Sequence, residues 1–373
     1  MKLSLLALAF LSSGALAQST PATPATAATP ATPSTPATSV PVNWRTETVA
    51  TTASMRGLSV VSPTVAWASG TGGTVLRTLD GNSWQVMQVP GADKLDFRDI
   101  HAVDAKRAVA MSAGPADASR VYRTDDGGAS WRLMATNTYA EGFWDAIAFW
   151  DSENGLMFGD PVKGSFQLYR TSDGGSSWTE VKAAGLEALP SEGAFAASGT
   201  CLIVGGKGEA WIATGGAATA RVFHSSDRGA TWTVASAPIP AGAAAKGIFS
   251  LGFIDSKTGV AAGGDYQQGD KQGGKQGDKP GLNGARTEDG GATWSAAAIL
   301  PAGYMSVVAP VPGAPRSLVA GGLAGSGYTR DAGKSWTALD STPLNTLGFA
   351  SPSTGWAVGA KGLLMKYTGP ALR

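Results

Sequence analysis

Cysteine is almost absent from this chain. Cys201 is the one thiol in 373 residues, so an internal disulfide is excluded and packing alone must hold the fold. It sits in the apolar run "TCLIVGG" beginning at Thr200, which reads as a buried structural thiol. Histidine is nearly as scarce. His101 and His224 are isolated from each other and from Cys201, a poor set for metal binding or thiol catalysis. No metal and no cofactor is expected. Charged residues make up only 15% of the chain, and 29 basic side chains face 28 acidic ones. That balance supplies no counterion-release drive, which argues against a nucleic-acid partner. The apolar run Leu3 to Leu11 is too short to span a bilayer comfortably, so no membrane span is expected. A dinucleotide fingerprint of strand, G-x-G-x-x-G and helix is also missing; the glycines of "SGTGGTV" at Ser69 read as a turn.

What is abundant is glycine, 51 residues, and tryptophan, 12. Together with low charge this suits many short strands and turns. Lys2, the short apolar run and Ala15-Leu16-Ala17 form a secretory signal pattern over residues 1–17. Cleavage after Ala17, with no cysteine at the site, predicts a periplasmic or secreted protein that is not a lipoprotein. Residues 18–40, "QSTPATPATAATPATPSTPATSV", carry no large apolar side chain before Val40. They read as a disordered, proline-stiffened linker. Residues 41–373 are expected to form the folded domain, as a monomer.

One phrase recurs through that domain. "TDDGGASWR" at Thr124 returns as "TSDGGSSWT" at Thr171, "SSDRGATWT" at Ser225, "TEDGGATWS" at Thr287 and "TRDAGKSWT" at Thr329, with a shorter "TLDGNSW" at Thr78. Its tryptophans, Trp84, Trp131, Trp178, Trp232, Trp294 and Trp336, are spaced by 47, 47, 54, 62 and 42 residues. Apolar runs ending in small residues punctuate the same repeat: "VAWASG", "AVAMSAG", "GLMFGD", "LIVGG", "GVAAGG", "SLVAGG" and "GWAVGAKG". Seven such runs with a period of this size predict an all-β, seven-bladed β-propeller of four-stranded blades. Each run is assigned to the second strand of its blade. The last unit stops before an outer strand, and "VNWRTETVA", with Trp44, looks like the missing piece. The ring is therefore expected to close by an N-terminal strand in the last blade. The phrase falls in the turn between third and fourth strands. There Asp80, Asp126, Asp173, Asp227, Asp289 and Asp331 are placed to accept backbone N–H groups, glycine supplies positive φ, and each tryptophan packs between blades and offers its indole N–H to a carbonyl. A turn must be copied in a repeat protein; an active site need not be.

The phrase resembles the Asp-box, or bacterial neuraminidase repeat, [ST]-x-D-x-G-x-[ST]-W. Thr124, Asp126, Gly128, Ser130 and Trp131 match it, as do Thr171, Asp173, Gly175, Ser177 and Trp178. In the first copy Asp80 and Trp84 are one residue closer, which implies a tighter turn. The longer frame "GWAVG..G.L.RT.DGG.SW", from Trp44 to Tyr367, resembles the photosystem II stability and assembly factor family. Stretches such as "GIFSLGFIDSKTGVAAGGDY" look like its subgroup from non-photosynthetic bacteria, some members of which are labelled oxidoreductases. The resemblance implies a propeller that binds another protein; nothing among the residues supports the redox label.

Ligands of propellers gather where innermost strands begin. Aligning those starts gives Arg56, Asp99, Asp145, Glu192, Phe249, Tyr304 and Asn345, with Arg98 beside Asp99. Asp160, Asp265 and Tyr266 are assigned to loops on the same face, the channel mouth. The tract Asp265 to Gly284 reads as a flexible excursion there, and Lys207 to Ala220, with Trp211, as a shorter one. Neutralising Asp145 or Glu192 is expected to leave stability unchanged or raise it. The leading functional expectation is an exported, non-catalytic propeller that binds a protein or small ligand at this mouth, assisting assembly or stability of an envelope protein. The alternative is a sialidase-like glycoside hydrolase, for which Arg56, Arg98 and Arg221 would have to form an arginine triad and Tyr304 would need a glutamate partner.

Overall fold

The protein is described by a computed structural model covering residues 43–268 and 283–373. The signal and linker expected over residues 1–40, and most of the Asp265–Gly284 tract, lie outside the described residues. Seven four-stranded antiparallel sheets form the ring. The helical content of the described residues is a single 3-10 turn, Ala116–Ala118.

Blade 2 shows the common plan. Its strands run outward from the axis as Phe97–Ala102, Ala108–Ser112, Arg120–Thr124 and Arg132–Thr136. The second strand is buried at every position, while the outer strand is buried at none. A strand sandwiched between neighbouring blades has no solvent face, so it reads as a continuous apolar run rather than an alternation. Its residues are small because blades crowd together toward the axis. In blades 2, 3 and 7 a third-strand cation stitches the blade to the recurring turn of the next. Arg123 Nη1 donates to the carbonyls of Asp173 and Gly174 at 2.8 and 2.9 Å, Arg170 to that of Arg228 at 2.6 Å, and Lys366 Nζ to Asn82 at 2.8 Å.

The last blade is built from both ends of the described chain. Trp44–Thr46 pairs antiparallel with Leu364–Tyr367, setting Trp44 opposite Tyr367. Trp44 is buried against Phe349 and Tyr367, and its indole N–H donates to Ser326 Oγ at 3.2 Å. The N-terminal closure expected from the unfinished last repeat is therefore present.

The recurring phrase is a structural turn. In its five longer copies the N–H four residues beyond Asp126, Asp173, Asp227, Asp289 or Asp331 donates to the Asp Oδ1 at 2.9 Å. The preceding Thr or Ser hydroxyl donates to the same oxygen and accepts the glycine N–H. In the short copy Asp80 accepts instead from Asn82 and Ser83, two and three residues on, as the tighter spacing implied. The Ser130 hydroxyl and then its N–H hold the Asp126 carboxyl down at about 2. Of the six tryptophans of the phrase, only Trp232 and Trp294 donate their indole N–H to a carbonyl among the described residues, each within its own turn. The indole nitrogens of Trp84, Trp131, Trp178 and Trp336 are buried without a partner among the described residues. For three of these, edge-to-face packing replaces the expected bond: Trp84 on Trp356, Trp131 on Trp67 and Trp178 on Phe149.

Blade 4 departs from the sequence reading. "LIVGG" is not a second strand: Leu202–Gly205 is the innermost strand, and Glu209–Ala213 is the second. The two are joined through Gly206, at positive φ, and Gly208. Trp211 is thus no part of a loose excursion. It is fully buried, stacked on Phe253 at 4.0 Å and on His224 at 5.1 Å, and bonded to the Gly290 carbonyl at 2.7 Å.

Candidate functional site

A β-bulge at the start of the innermost strands builds the channel mouth. In five blades the pairing of the first strand with the second skips one residue: Arg56, Arg98, Asp145, Phe249 and Ser306. A bulge leaves its extra residue outside the ladder and re-aims it. All five line one cavity of ≈ 460 Å³. Ala196 and Ala197 line it from blade 4 and Asn345 from blade 7. The loops after second strands add Tyr266 and Leu323, and a further bulge in blade 3 adds Asp160. The connections into innermost strands add Phe143, Phe195 and Tyr304.

The lining is sorted by chemistry around the ring. Blades 1 and 2 supply the cations Arg56 and Arg98, and blade 3 supplies the carboxyls Asp145 and Asp160. Blades 4 to 6 supply an aromatic wall. There Phe195 stacks on Phe249 at 3.9 Å, and Tyr304 meets the same ring edge-on at 4.7 Å. Tyr266 lies 6.0 Å from Phe249, with much of its surface open to solvent. Ser306 and Asn345 close the circle.

Two ionisable side chains on this wall, Arg56 and Asp145, lack hydrogen-bond partners among the described residues. Arg98 donates to Asp96 at 2.7 Å and, at 3.4 Å, to the Ala196 carbonyl. Arg56 makes no hydrogen bond or ion pair with the described residues; burial, then the charge of Arg98, lowers its pKa. Asp145 is only 1% exposed, and neither carboxylate oxygen has a hydrogen-bond partner. The N–H groups of Ala196 and Asp160 help it electrostatically but miss bonding geometry. Burial first, and then the charge of Asp160, pushes its pKa well up, against the pull of Arg98. Leaving such a group unsatisfied costs on the order of 1–3 kcal/mol. Asp160 accepts the Ala194 N–H at 2.8 Å, and burial raises its pKa as well.

Three residues assigned to the mouth from sequence do not line the cavity. Asp99 is one position past the bulge, so its side chain points the other way. It accepts the N–H groups of Ile100 at 2.8 Å and Ile147 at 2.7 Å, joining blades 2 and 3, and burial pushes it up to about 8. Glu192 precedes the innermost strand of blade 4 by too many residues. It is clasped by Arg221, by the Thr214 hydroxyl at 2.6 Å and by the Leu189 N–H at 2.8 Å. Asp265 accepts the Gln267 N–H at 3.0 Å, with Lys246 Nζ at 4.0 Å. Phe143, Phe195, Ser306 and Leu323 were missed. The available signal was an aromatic residue just ahead of the innermost strands of blades 3 and 6, Phe143 and Tyr304; Phe195 lies further ahead of Leu202 and had no such signal.

A second cavity of ≈ 510 Å³ opens where the innermost strands of blades 4 to 6 end, lined mainly by apolar side chains including Ile203, Trp211, Phe253 and Val308. No three His, Cys, Asp or Glu residues gather for a metal among the described residues. His101 is half-buried and stacked on Phe149 at 4.5 Å, and desolvation lowers its pKa to about 4; His224 contacts Glu209 at 2.5 Å. No helix among the described residues is long and apolar enough to cross a membrane.

No family model and no curated protein sequence matches the chain. Solved structures do. "YCF48 bound to D1 peptide" aligns at a TM-score of 0.63 and 16% identity, covering 90% of this chain and all of that one. YCF48 from Cyanidioschyzon merolae aligns at 0.60 and 18%, covering 87% and 98%. The Neurospora crassa Pan2 WD40 domain aligns at 0.56 and 12%, covering 86% and 90%. At these identities the likeness is one of fold.

Proposed function

We propose that this chain is an exported propeller that binds a protein segment at its channel mouth and serves as an assembly or stability factor for an envelope protein, rather than as an enzyme. The observation that carries the reading is Arg56: a cation with no hydrogen-bond or ion-pair partner among the described residues, on the wall of a cavity that also holds an exposed tyrosine. An unpaired guanidinium beside aromatic surface suits an acidic group on an otherwise apolar ligand. The fold neighbour described as bound to a D1 peptide gives peptide binding a precedent in a propeller of similar fold. Residue placement also weakens the hydrolase alternative. Arg221 is locked to Glu192 and does not join Arg56 and Arg98 at the mouth, so the arginine triad is not assembled. The ring of Tyr304 neighbours Phe249 and Tyr266, and Glu192, the one glutamate aligned with the mouth, is clasped elsewhere.

Affinity capture from envelope extract tests the proposal, with the mature chain and its Arg56→Gln variant as baits beside a panel of sialosides and other glycosides. Specific capture by the wild type and its loss in the variant support it. Capture that ignores the Arg56 change, or turnover of a glycoside, overturns it.

A further inference from the structure

The binding reading above leaves the acidic arc of the cavity unexplained. An acidic ligand group settles Arg56, yet it would meet Asp145 and Asp160 on the neighbouring arc. Asp145 is the stranger of the two: almost fully buried, on the cavity wall, with both oxygens unbonded. The protein has donors nearby and does not use them. Arg98 spends its guanidinium on Asp96 and a carbonyl, although it is adjacent in the ring. The Asp160 carboxyl takes the Ala194 N–H and leaves Asp145 alone. A buried acceptor kept open in this way calls for a donor from outside.

Resting on the mouth as the binding face, we infer that the occupant is an amphoteric peptide segment. A lysine or arginine side chain of the segment donates to Asp145, with Asp160 beside it. An acidic group of the segment rests on Arg56. An apolar or aromatic side chain lies against Phe249 and Tyr304. Each of the two unpartnered groups then finds its complement in one ligand, and the ring order of cations, acids and aromatics becomes a recognition pattern. A ligand lacking either charge leaves one buried group unpaired, which is how such sites discriminate.

The test uses blocked tripeptides, acetyl-Lys-Phe-Asp-amide and the reversed acetyl-Asp-Phe-Lys-amide, titrated calorimetrically into the mature chain. At least one order should bind. Replacing its lysine by norleucine should weaken binding at least tenfold in the wild type and hardly at all in Asp145→Asn. Replacing its aspartate by asparagine should do the same in the wild type and hardly at all in Arg56→Gln. Free-ended versions of the same peptides separate a small peptide ligand, which should then bind more tightly, from an internal chain segment, which should not. Melting temperatures confirm that the variants are folded, and Asp160→Asn serves as a second acid variant should Asp145→Asn unfold. Norleucine binding as well as lysine sinks the acid subsite. Absence of binding by either tripeptide sinks the amphoteric class; if Arg56-dependent capture from extract persists, the mouth still stands as the binding face. Loss of that capture as well would sink both.

Discussion

Replacing Asp145 by asparagine should stabilise the free protein, and by an amount that grows with pH. The carboxyl is buried, its oxygens are unbonded, and burial followed by the nearby Asp160 charge raises its pKa well above that of an unfolded carboxyl. The folded state therefore holds a proton that the unfolded chain has released once the pH passes about 4. Stability from this group is complete below that pH and is lost as pH rises toward the folded-state pKa. While the folded group stays protonated, each pH unit above the unfolded value removes up to about 1.4 kcal/mol. Asparagine keeps the shape and does not titrate. The stability difference between variant and wild type should thus widen in favour of the variant by up to about that amount per pH unit. Other groups move stability in the same range. Asp99, pushed up to about 8, adds a loss of the same sign, and His101, lowered to about 4, adds an opposing gain below its unfolded value. Both are common to the two proteins and cancel in the difference. Urea unfolding at pH 5, 6 and 7 measures it. A difference that is constant across the three, or that favours the wild type increasingly, refutes the argument and would mean that Asp145 is charged and satisfied in solution.

Glu192→Gln should behave oppositely, reversing the expectation drawn from sequence. It leaves the buried Arg221 guanidinium without its carboxylate and should cost roughly 3–5 kcal/mol by denaturant unfolding; an unchanged midpoint would refute the clasp. Asp173→Ala removes an acceptor from turn N–H groups that water can reach, so it should cost only about 0.5–1.5 kcal/mol and leave binding at the mouth intact. Calorimetry on the folded variant with the tripeptide probes checks both halves. Trp44→Ala should cost about 3–5 kcal/mol, as for other buried tryptophans. A chain beginning at residue 50 should melt well below one beginning at residue 41; equal melting points would contradict the N-terminal closure.

The blade count, the turn phrase and the closing strand were legible because each is a local pattern copied around a ring. The bulge was not. It adds one residue to a strand without a distinctive residue type, and Arg56, Arg98, Asp145, Phe249 and Ser306 range from cation to acid, aromatic and hydroxyl. A slip of one position in blade 2 therefore selected Asp99, whose carboxylate stitches blades together, beside Arg98, which faces the cavity. Blade 4 failed for another reason. Its innermost strand, "LIVG", has the small and apolar make-up of a second strand, so composition alone could not tell the two apart. Glu192 looked like a mouth residue because its partner Arg221 is distant in sequence, and long-range ion pairs leave no trace in a local pattern.

The pairing of Trp44–Thr46 with Leu364–Tyr367 has a consequence for how such a chain comes into being. A polypeptide emerges N-terminus first, so the strand around Trp44 waits for its neighbour through the synthesis of nearly every other blade. Until then the first six blades form an open arc with bare edges, the kind of intermediate that pairs with the wrong partner. Completion is all or nothing: a product cut short before Leu364 leaves both edges of the ring exposed. Only a molecule that carries both Trp44–Thr46 and Leu364–Tyr367 can therefore complete the last blade and close the ring.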